Sequence, residues 1–317
     1  MEKIFEYARK NNISDIHIIE DERIYFRKDG EIVAYDDVQT LSREDILNIC
    51  LNKFEEDFAY TDSKGQRYRV NSFFTKGKLA LVIRVINDEA VKLKGEFINK
   101  VIDEKILALK DGLVLISGIT GSGKSTTLAN IIEKFNENKS IKILTIEDPI
   151  EYIFENKKAL IIQRELGTDV ESFEKALKSS LRQDPDVIVL GEIRDEESLF
   201  SALKLAETGH LVFSTLHTMN AVESINRLIS MAKSDKRDFI REQLASVLRF
   251  IFSQELYRDK KTKKVKAIFE ILNNTKAVAN LIANNKLNQI PSLIESGIEN
   301  YMITKEKYFK KIEIESD

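Results

Sequence analysis

The sequence predicts an α/β fold, with a mostly parallel sheet flanked by helices and followed by a C-terminal helical region, preceded by a smaller α+β domain. Three observations predict it. A strand-length apolar run at 113–117 leads through a glycine loop into an amphipathic helix at 127–135. From about Val101 onward, strand-length runs alternate with helical patterns, the order that builds parallel sheets. The region before residue 88 instead carries hairpin signals. The expected division is 1–95, an N-terminal domain with its linker, and 96–317, the α/β domain with its C-terminal helices.

The elements follow in order. Ile4, Phe5 and Ala8 mark one face of a helix over Glu2–Lys10, and strands are expected at Asp15–Ile19, 23–27 and Glu31–Ala34, the last two joined at Asp29-Gly30. Ser42 caps a helix that turns Ile46, Ile49 and Cys50 inward, and a second hairpin runs from 66–74 through Gly77 to 78–86. The polar stretch 88–95 ends in glycine and is taken as the linker. Beyond it come strand 113–117, a helix from Lys124, strand 142–146, helix 172–181, strand 187–190, helix 196–208 closed by Gly209, and strand 211–215. Asn220-x-x-Glu223 opens a helix with Val222, Ile225, Leu228 and Ile229 on one face. After Ile240 the pattern is mainly helical.

Composition excludes several classes of function. The 317 residues hold 52 acidic and 49 basic side chains, a formal net charge of −3, with no long block of one sign. That balance argues against a surface built for nucleic acid, which needs clustered cations. Cys50 is the single cysteine, so neither an internal disulfide nor a C-x-x-C zinc module is available, and a buried apolar role is expected for it. No run of about 18 apolar residues occurs, so neither signal peptide nor membrane span is expected. The expected location is cytoplasmic, with any membrane association borrowed from a partner.

The residues from Gly118 to Thr126 carry the first piece of chemistry, because Gly-Ile-Thr-Gly-Ser-Gly-Lys-Ser-Thr fits G-x-x-x-x-G-K-[ST] between a strand and a helix. Gly118, Thr120, Gly121, Ser122, Gly123 and Thr126 would close their backbone N–H groups around phosphates, Lys124 would reach the terminal phosphates, and Ser125 would offer a hydroxyl to Mg²⁺. A nucleoside triphosphate is the expected ligand. Hydrolysis further needs an oriented water and positive charge at the γ-phosphate. Glu192 follows the apolar strand 187–190 and Gly191, so it stands at a strand end beside the glycine loop and is assigned to polarise water. Glu147 or Asp148, after strand 142–146 and before Pro149, could hold magnesium. His210 and His217 flank strand 211–215 and could contact phosphate. Arg67, Arg69 and Arg84 lie on two neighbouring strands of the N-terminal domain and could share one sheet face.

Several separated segments resemble one family, the secretion ATPases of type II secretion and type IV pili. They are Thr145-Ile146-Glu147-Asp148-Pro149-Ile150-Glu151-Tyr152, Gly191-Glu192-Ile193-Arg194-Asp195, and the run from Ala206 to Thr218, besides the glycine loop. In family terms these are the Asp box, Walker B, His box and Walker A. Ser14-Asp15-Ile16-His17-Ile18 and Arg67-Tyr68-Arg69-Val70-Asn71-Ser72-Phe73 are similar to the family's PAS-like N-terminal domain, while Arg241-x-x-Leu244 and Ser253-Gln254 match the helical region after the His box. The resemblance implies a RecA-like P-loop ATPase domain using ATP and Mg²⁺, with Glu192 as catalytic carboxylate, Glu147 as its companion and His217 beside them. It also implies that Arg69 and Arg84 act on the γ-phosphate of an adjacent subunit in a homohexameric ring, docked beneath an inner-membrane pilus platform protein and working with a related pilus ATPase where one is present.

The lack of a further N-terminal domain and of a four-cysteine zinc module is similar to the retraction branch, which drives pilus disassembly and twitching motility. That branch carries Ala-Ile-Arg-Asn-Leu-Ile-Arg-Glu where this chain has Ala277-Val278-Ala279-Asn280-Leu281-Ile282-Ala283-Asn284, so the apolar frame persists while Ala279, Ala283 and Asn284 replace the charged side chains. Two alternatives stay open: an assembly ATPase of a competence pseudopilus or type II secretion system, and a weakly hydrolysing regulatory subunit of a pilus motor.

Overall fold

The chain divides into two compact units, residues 1–89 with 149–153, and residues 90–148 with 154–317. The computed structural model describes all residues except 12, 29, 36–39, 51–53, 55, 87–91, 259–264 and 315–317. Asp29 of the first expected hairpin and positions 88–91 of the expected linker therefore lie outside the described residues.

In the first unit, α1 (Glu2–Lys10) precedes β1 (Asp15–Ile19), β2 (Tyr25–Lys28), β3 (Glu31–Ala34), α2 (Arg43–Cys50), β4 (Asp57–Thr61), β5 (Arg67–Thr75) and β6 (Lys78–Val85). The strands form a six-stranded antiparallel sheet in the order β3-β2-β1-β6-β5-β4. Alternation assigns the faces. Ile16, Ile18, Tyr68, Val70, Leu81 and Ile83 pack with Ile4, Phe5 and Ala8 of α1 and Ile46, Ile49 and Cys50 of α2, while the partners one residue away point to the opposite face. Cys50 is fully buried, as expected. At the β4–β5 turn, Asp62 accepts the backbone N–H groups of Lys64 and Gln66 at 2.9 and 3.0 Å, the Tyr68 hydroxyl at 3.0 Å and the Arg9 guanidinium. The buried carboxylate is thereby satisfied on all sides. β4 was not anticipated from its five residues, which include only a short apolar alternation.

The second unit runs α3 (Glu96–Glu104), β7 (Gly112–Ser117), α4 (Lys124–Asn138), β8 (Lys142–Glu147), β9 (Leu160–Glu165), α5 (Phe173–Ser180), β10 (Val187–Glu192), α6 (Glu196–Glu207) and β11 (Leu211–Leu216). It continues with α7 (Ala221–Met231), α8 (Arg237–Val247), β12 (Leu248–Arg258), β13 (Val265–Asn273), α9 (Lys276–Ala283), α10 (Ile290–Ser296) and α11 (Lys305–Ile314). The seven-stranded sheet has the order β13-β12-β7-β11-β10-β8-β9. All its neighbours pair in parallel except β12 and β13. The expected α/β class is thus observed. β7 and β11 are buried at every position because helices cover both sheet faces, which is why these strands read as continuous apolar runs. Two buried clusters lie on either side, one centred on Leu115, Leu190, Leu203 and Leu228, the other on Val114, Ile131, Phe135 and Phe213.

The largest correction concerns the stretch after Ile240. Helices make up most of its described regular structure, but it also holds an unexpected hairpin: β12 and β13 span 11 and 9 residues and pair antiparallel. The run Leu248-Arg249-Phe250-Ile251-Phe252 is short enough to suit either a buried strand or a buried helix, and pairing with β7 decides for the strand. Helices α9, α10 and α11 do follow. α9 forms over the altered motif with Val278 and Ile282 buried, and the Asn284 amide donates to the Asn280 side chain at 2.6 Å. The apolar frame is sufficient for the helix, while the replaced side chains change its polar surface.

Candidate active site

Parallel strands end together, and the loops at their carboxyl ends gather what the chain keeps far apart in sequence. β7, β8, β10 and β11 deliver the glycine loop, Glu147-Asp148, Glu192 and His217 to one end of the sheet.

The glycine loop leaves β7 at Ser117 and enters α4 at Lys124, with Gly123 as N-cap at φ 84°. That left-handed conformation favours glycine, and a Cβ there would stand 2.9 Å from the Gln254 side-chain nitrogen. At Gly118 a Cβ would meet the Gln254 carbonyl oxygen at 2.4 Å, so backbone approaches backbone too closely for any side chain. Lys124 is 9% exposed, and its ammonium donates to the carbonyls of Gly118 and Ile119 at 2.7 and 3.1 Å, folded back over the loop it follows. Ser122 is buried and its N–H donates to Ile119 O at 3.2 Å, which closes the turn. Ser125 and Thr126 occupy the first turn of α4, where N–H groups and the helix dipole favour an anion.

The loop is held from behind by β12, a role sequence reasoning missed. Gln254, 3% exposed, donates through Nε2 to Ser122 O at 2.7 Å and accepts the Thr127 hydroxyl at 2.6 Å, while Ser117 donates to Ser253 at 2.8 Å. The signal was present in Phe250-Ile251-Phe252-Ser253-Gln254, an apolar strand ending in polar residues just as 187–192 does. Replacing Gln254 by alanine leaves a buried hydroxyl and a buried carbonyl without that partner. About 1–3 kcal/mol of stability should be lost per orphaned group, together with weaker nucleotide binding. Chemical denaturation and a fluorescent-nucleotide titration check this, and unchanged affinity with unchanged stability would remove Gln254 from the role.

Glu192 sits where β10 departs from its register with β11, at an irregularity between Leu190 and Glu192. Such bulges re-aim side chains beside functional sites. The Thr215 hydroxyl donates to Gly191 O at 2.7 Å and pins the bulge. One carboxylate oxygen of Glu192 accepts the Arg194 Nε–H at 2.8 Å, and the other lies 3.5 Å from His217 Nε2. The other nitrogen of that ring, Nδ1, is 3.5 Å from the Thr120 hydroxyl in the glycine loop. His217 therefore spans Glu192 and the loop. The hydrogen bond to Glu192 raises the pKa of Arg194, which also stands 3.9 Å from Asp148. Past Arg194, Asp195 caps α6 by accepting Ser198 N–H at 2.8 Å, so the chain turns from strand to helix immediately beyond the carboxylate.

Glu147 ends β8 with Oε1 accepting the Thr145 hydroxyl at 2.6 Å and the Gln163 amide at 3.3 Å. These contacts steer its carboxylate, whereas Asp148 is 55% exposed beyond it. His210 is not brought to this end. It precedes the six-residue β11, about 20 Å of strand away from His217 at roughly 3.3 Å per residue, and it engages Thr208 and the Leu205 carbonyl at 3.2 Å. His210 and His217 therefore stand at opposite ends of β11, because flanking a strand in sequence means standing at its two ends.

Within the first unit, Arg69 and Arg84 are direct cross-strand partners on β5 and β6, so both project from the sheet face opposite the core. Arg67, two positions before Arg69 on β5, shares that face by alternation. Asp15 continues the row on β1 and accepts Arg84 Nε–H at 2.8 Å, and Arg27 on β2 completes it. Arg69 pairs with Asp57 at 3.3 Å. The face is a cationic row held in place by interleaved carboxylates.

Comparison with known proteins gives a consistent result. The family model described as type II/IV secretion system protein matches residues 1–292. The chain is 40% identical over 312 residues to the uncharacterized protein YggR of Escherichia coli K12, spanning 96% of this chain and 95% of that one. To the type IV pilus retraction ATPase PilT of Pseudomonas aeruginosa it is 37% identical over 311 residues, spanning 93% of this chain and 88% of the relative. The crystal structure of the pilus retraction motor PilT with bound ADP superposes with a TM-score of 0.86 at 34% identity, covering 98% of this chain and 92% of that one.

Proposed function

We propose, starting from the fact that this chain belongs to the type II/IV secretion system protein family, that it is an ATP-hydrolysing motor of type IV pilus retraction. The observation that carries the reading is the bridge from Glu192 through His217 to Thr120, which ties a strand-end carboxylate to the glycine loop at 3.5 Å on either side of one imidazole.

In this reading the loop amides from Gly118 to Thr126 and the Lys124 ammonium hold the phosphates, the ammonium exchanging the loop carbonyls for phosphate oxygens. Glu192 orients the attacking water, and His217 with Thr120 signals what occupies the loop. Glu147, steered by Thr145 and Gln163, assists from the neighbouring strand. The side chains suited to magnesium are oxygen donors, the Ser125 hydroxyl and the Asp148 and Glu147 carboxylates. Among the described residues no group of three or more His, Cys, Asp and Glu side chains forms a cage, which fits an ion held by one or two protein oxygens together with the triphosphate. When bound, such an ion would supply positive charge that offsets the negative charge developing on the phosphates.

Arg69 and Arg84 are assigned to the γ-phosphate of an adjacent subunit in a homohexamer. Among the described residues no helix is long and apolar enough to cross a membrane, and a polytopic pilus platform protein is the proposed membrane partner. Two measurements test the function. The purified chain should release phosphate from ATP with magnesium and lose that activity in excess EDTA. A strain lacking the gene should accumulate surplus pili that do not retract, whereas loss of pili would favour an assembly motor.

A further inference from the structure

The loop that carries His217 is held by residues far along the chain, and that hold extends the proposed ATPase site, on which this inference rests. After His217 the loop passes Thr218, whose hydroxyl meets Ser224 at 2.7 Å, and Met219, whose N–H donates to Glu223 at 2.8 Å. Those contacts lie within α7 and its entry. Two others do not. The Ala221 N–H donates to Glu270 of β13 at 2.8 Å, and the Met219 carbonyl accepts the Lys305 ammonium at 3.0 Å. Lys305 is itself held by Glu255 of β12 at 2.8 Å, and its side chain is only 20% exposed.

We propose that Lys305 is a positioning residue of the active site, fixing the Met219 carbonyl and through it the His217 imidazole between Glu192 and Thr120. The placement of Lys305 is well determined. Ile303, two residues earlier, exchanges both backbone hydrogen bonds with Ile271 of β13 at 2.9 and 3.1 Å, and Tyr308 is fully buried edge-on against Phe269. α11 therefore starts at a fixed point on the sheet edge, and its first residue reaches back to the loop. Glu270 holds the other side of the same loop. Burial pushes its carboxyl upward, while the Ala221 N–H and the Lys305 charge draw it back. The C-terminal helix and the β12–β13 hairpin thus grip the loop on which His217 stands. Any motion of α11 would be passed to the imidazole that bridges carboxylate and glycine loop.

The test uses the full chain with ¹³C-labelled histidine. The chain has three histidines, His17, His210 and His217, so comparison with His217→Gln identifies the relevant ring signal. In Lys305→Met the His217 signal should shift while those of His17 and His210 stay. Turnover should fall about tenfold, as small misplacements distant from the chemistry do, with KM for ATP nearly unchanged, and Lys305→Arg should restore most of it. A merely structural lysine would lower thermal stability without moving the His217 signal or separating kcat from KM. An unmoved His217 signal in Lys305→Met overturns the inference. Because that signal does not require turnover, a wild-type chain that fails to hydrolyse ATP would defeat the ATPase reading separately.

Discussion

Glu192→Gln should bind ATP with near wild-type affinity and lose at least about 10²-fold in turnover, within the range for removing a positioned general base. The reason is local. The carboxylate is 22% exposed at the end of a buried strand, one oxygen held by Arg194 and the other facing His217. Glutamine keeps the shape but cannot act as a base, and with a single acceptor oxygen it can serve Arg194 or His217 but not both. The glycine loop, Ser125 and the Gln254 brace are untouched, so binding should persist. Steady-state phosphate release and a fluorescent-nucleotide titration separate the two effects. Turnover within tenfold of wild type would assign the water to another group, with Glu147 the next carboxylate along the strand ends.

Arg84→Ala should cost still more if an arginine from one subunit completes the site of the next, since such a residue is worth roughly 10³–10⁵ in turnover. Arg84 is 63% exposed, yet its Nε is fixed by Asp15, itself 9% exposed, so the side chain is presented outward from an anchored base. A salt bridge so open to water contributes little to stability. The expected result is therefore a folded, nucleotide-binding variant that barely hydrolyses. Mixing it with Lys124→Ala subunits provides the decisive comparison: each variant should be inactive alone, but in a shared-site assembly mixed oligomers would contain sites with an intact glycine loop and a neighbour's intact arginine. Partial recovery is expected. Activity no greater than the sum of the separate variants would place Arg84 outside any shared site.

Particular elements show what was legible and what was not. The strand, glycine loop and helix from 112 to 138 were readable because the chemistry is contiguous: φ demands at Gly123, a lysine one residue on, and apolar periodicity on either side. Glu192 was readable as an acid after an apolar strand. β12 was not, because a short run such as Leu248-Arg249-Phe250-Ile251-Phe252, apolar but for one arginine, satisfies a strand and a buried helix equally, and pairing with β7 across more than a hundred residues settles it. His210 and His217 looked equivalent on either side of one strand, but a strand has length, and its two ends face different chemistry.

By itself the sequence determined the class of fold, the triphosphate loop and the family, since each depends on short-range spacing or on a motif whose residues are neighbours in the chain. Only the tertiary structure decided which side chains meet: Gln254 behind the loop, His217 between Glu192 and Thr120, Arg69 opposite Arg84, and Lys305 on the Met219 carbonyl. These contacts depend on strand order and register. Both are set by long-range burial of many apolar side chains at once, which no local pattern encodes.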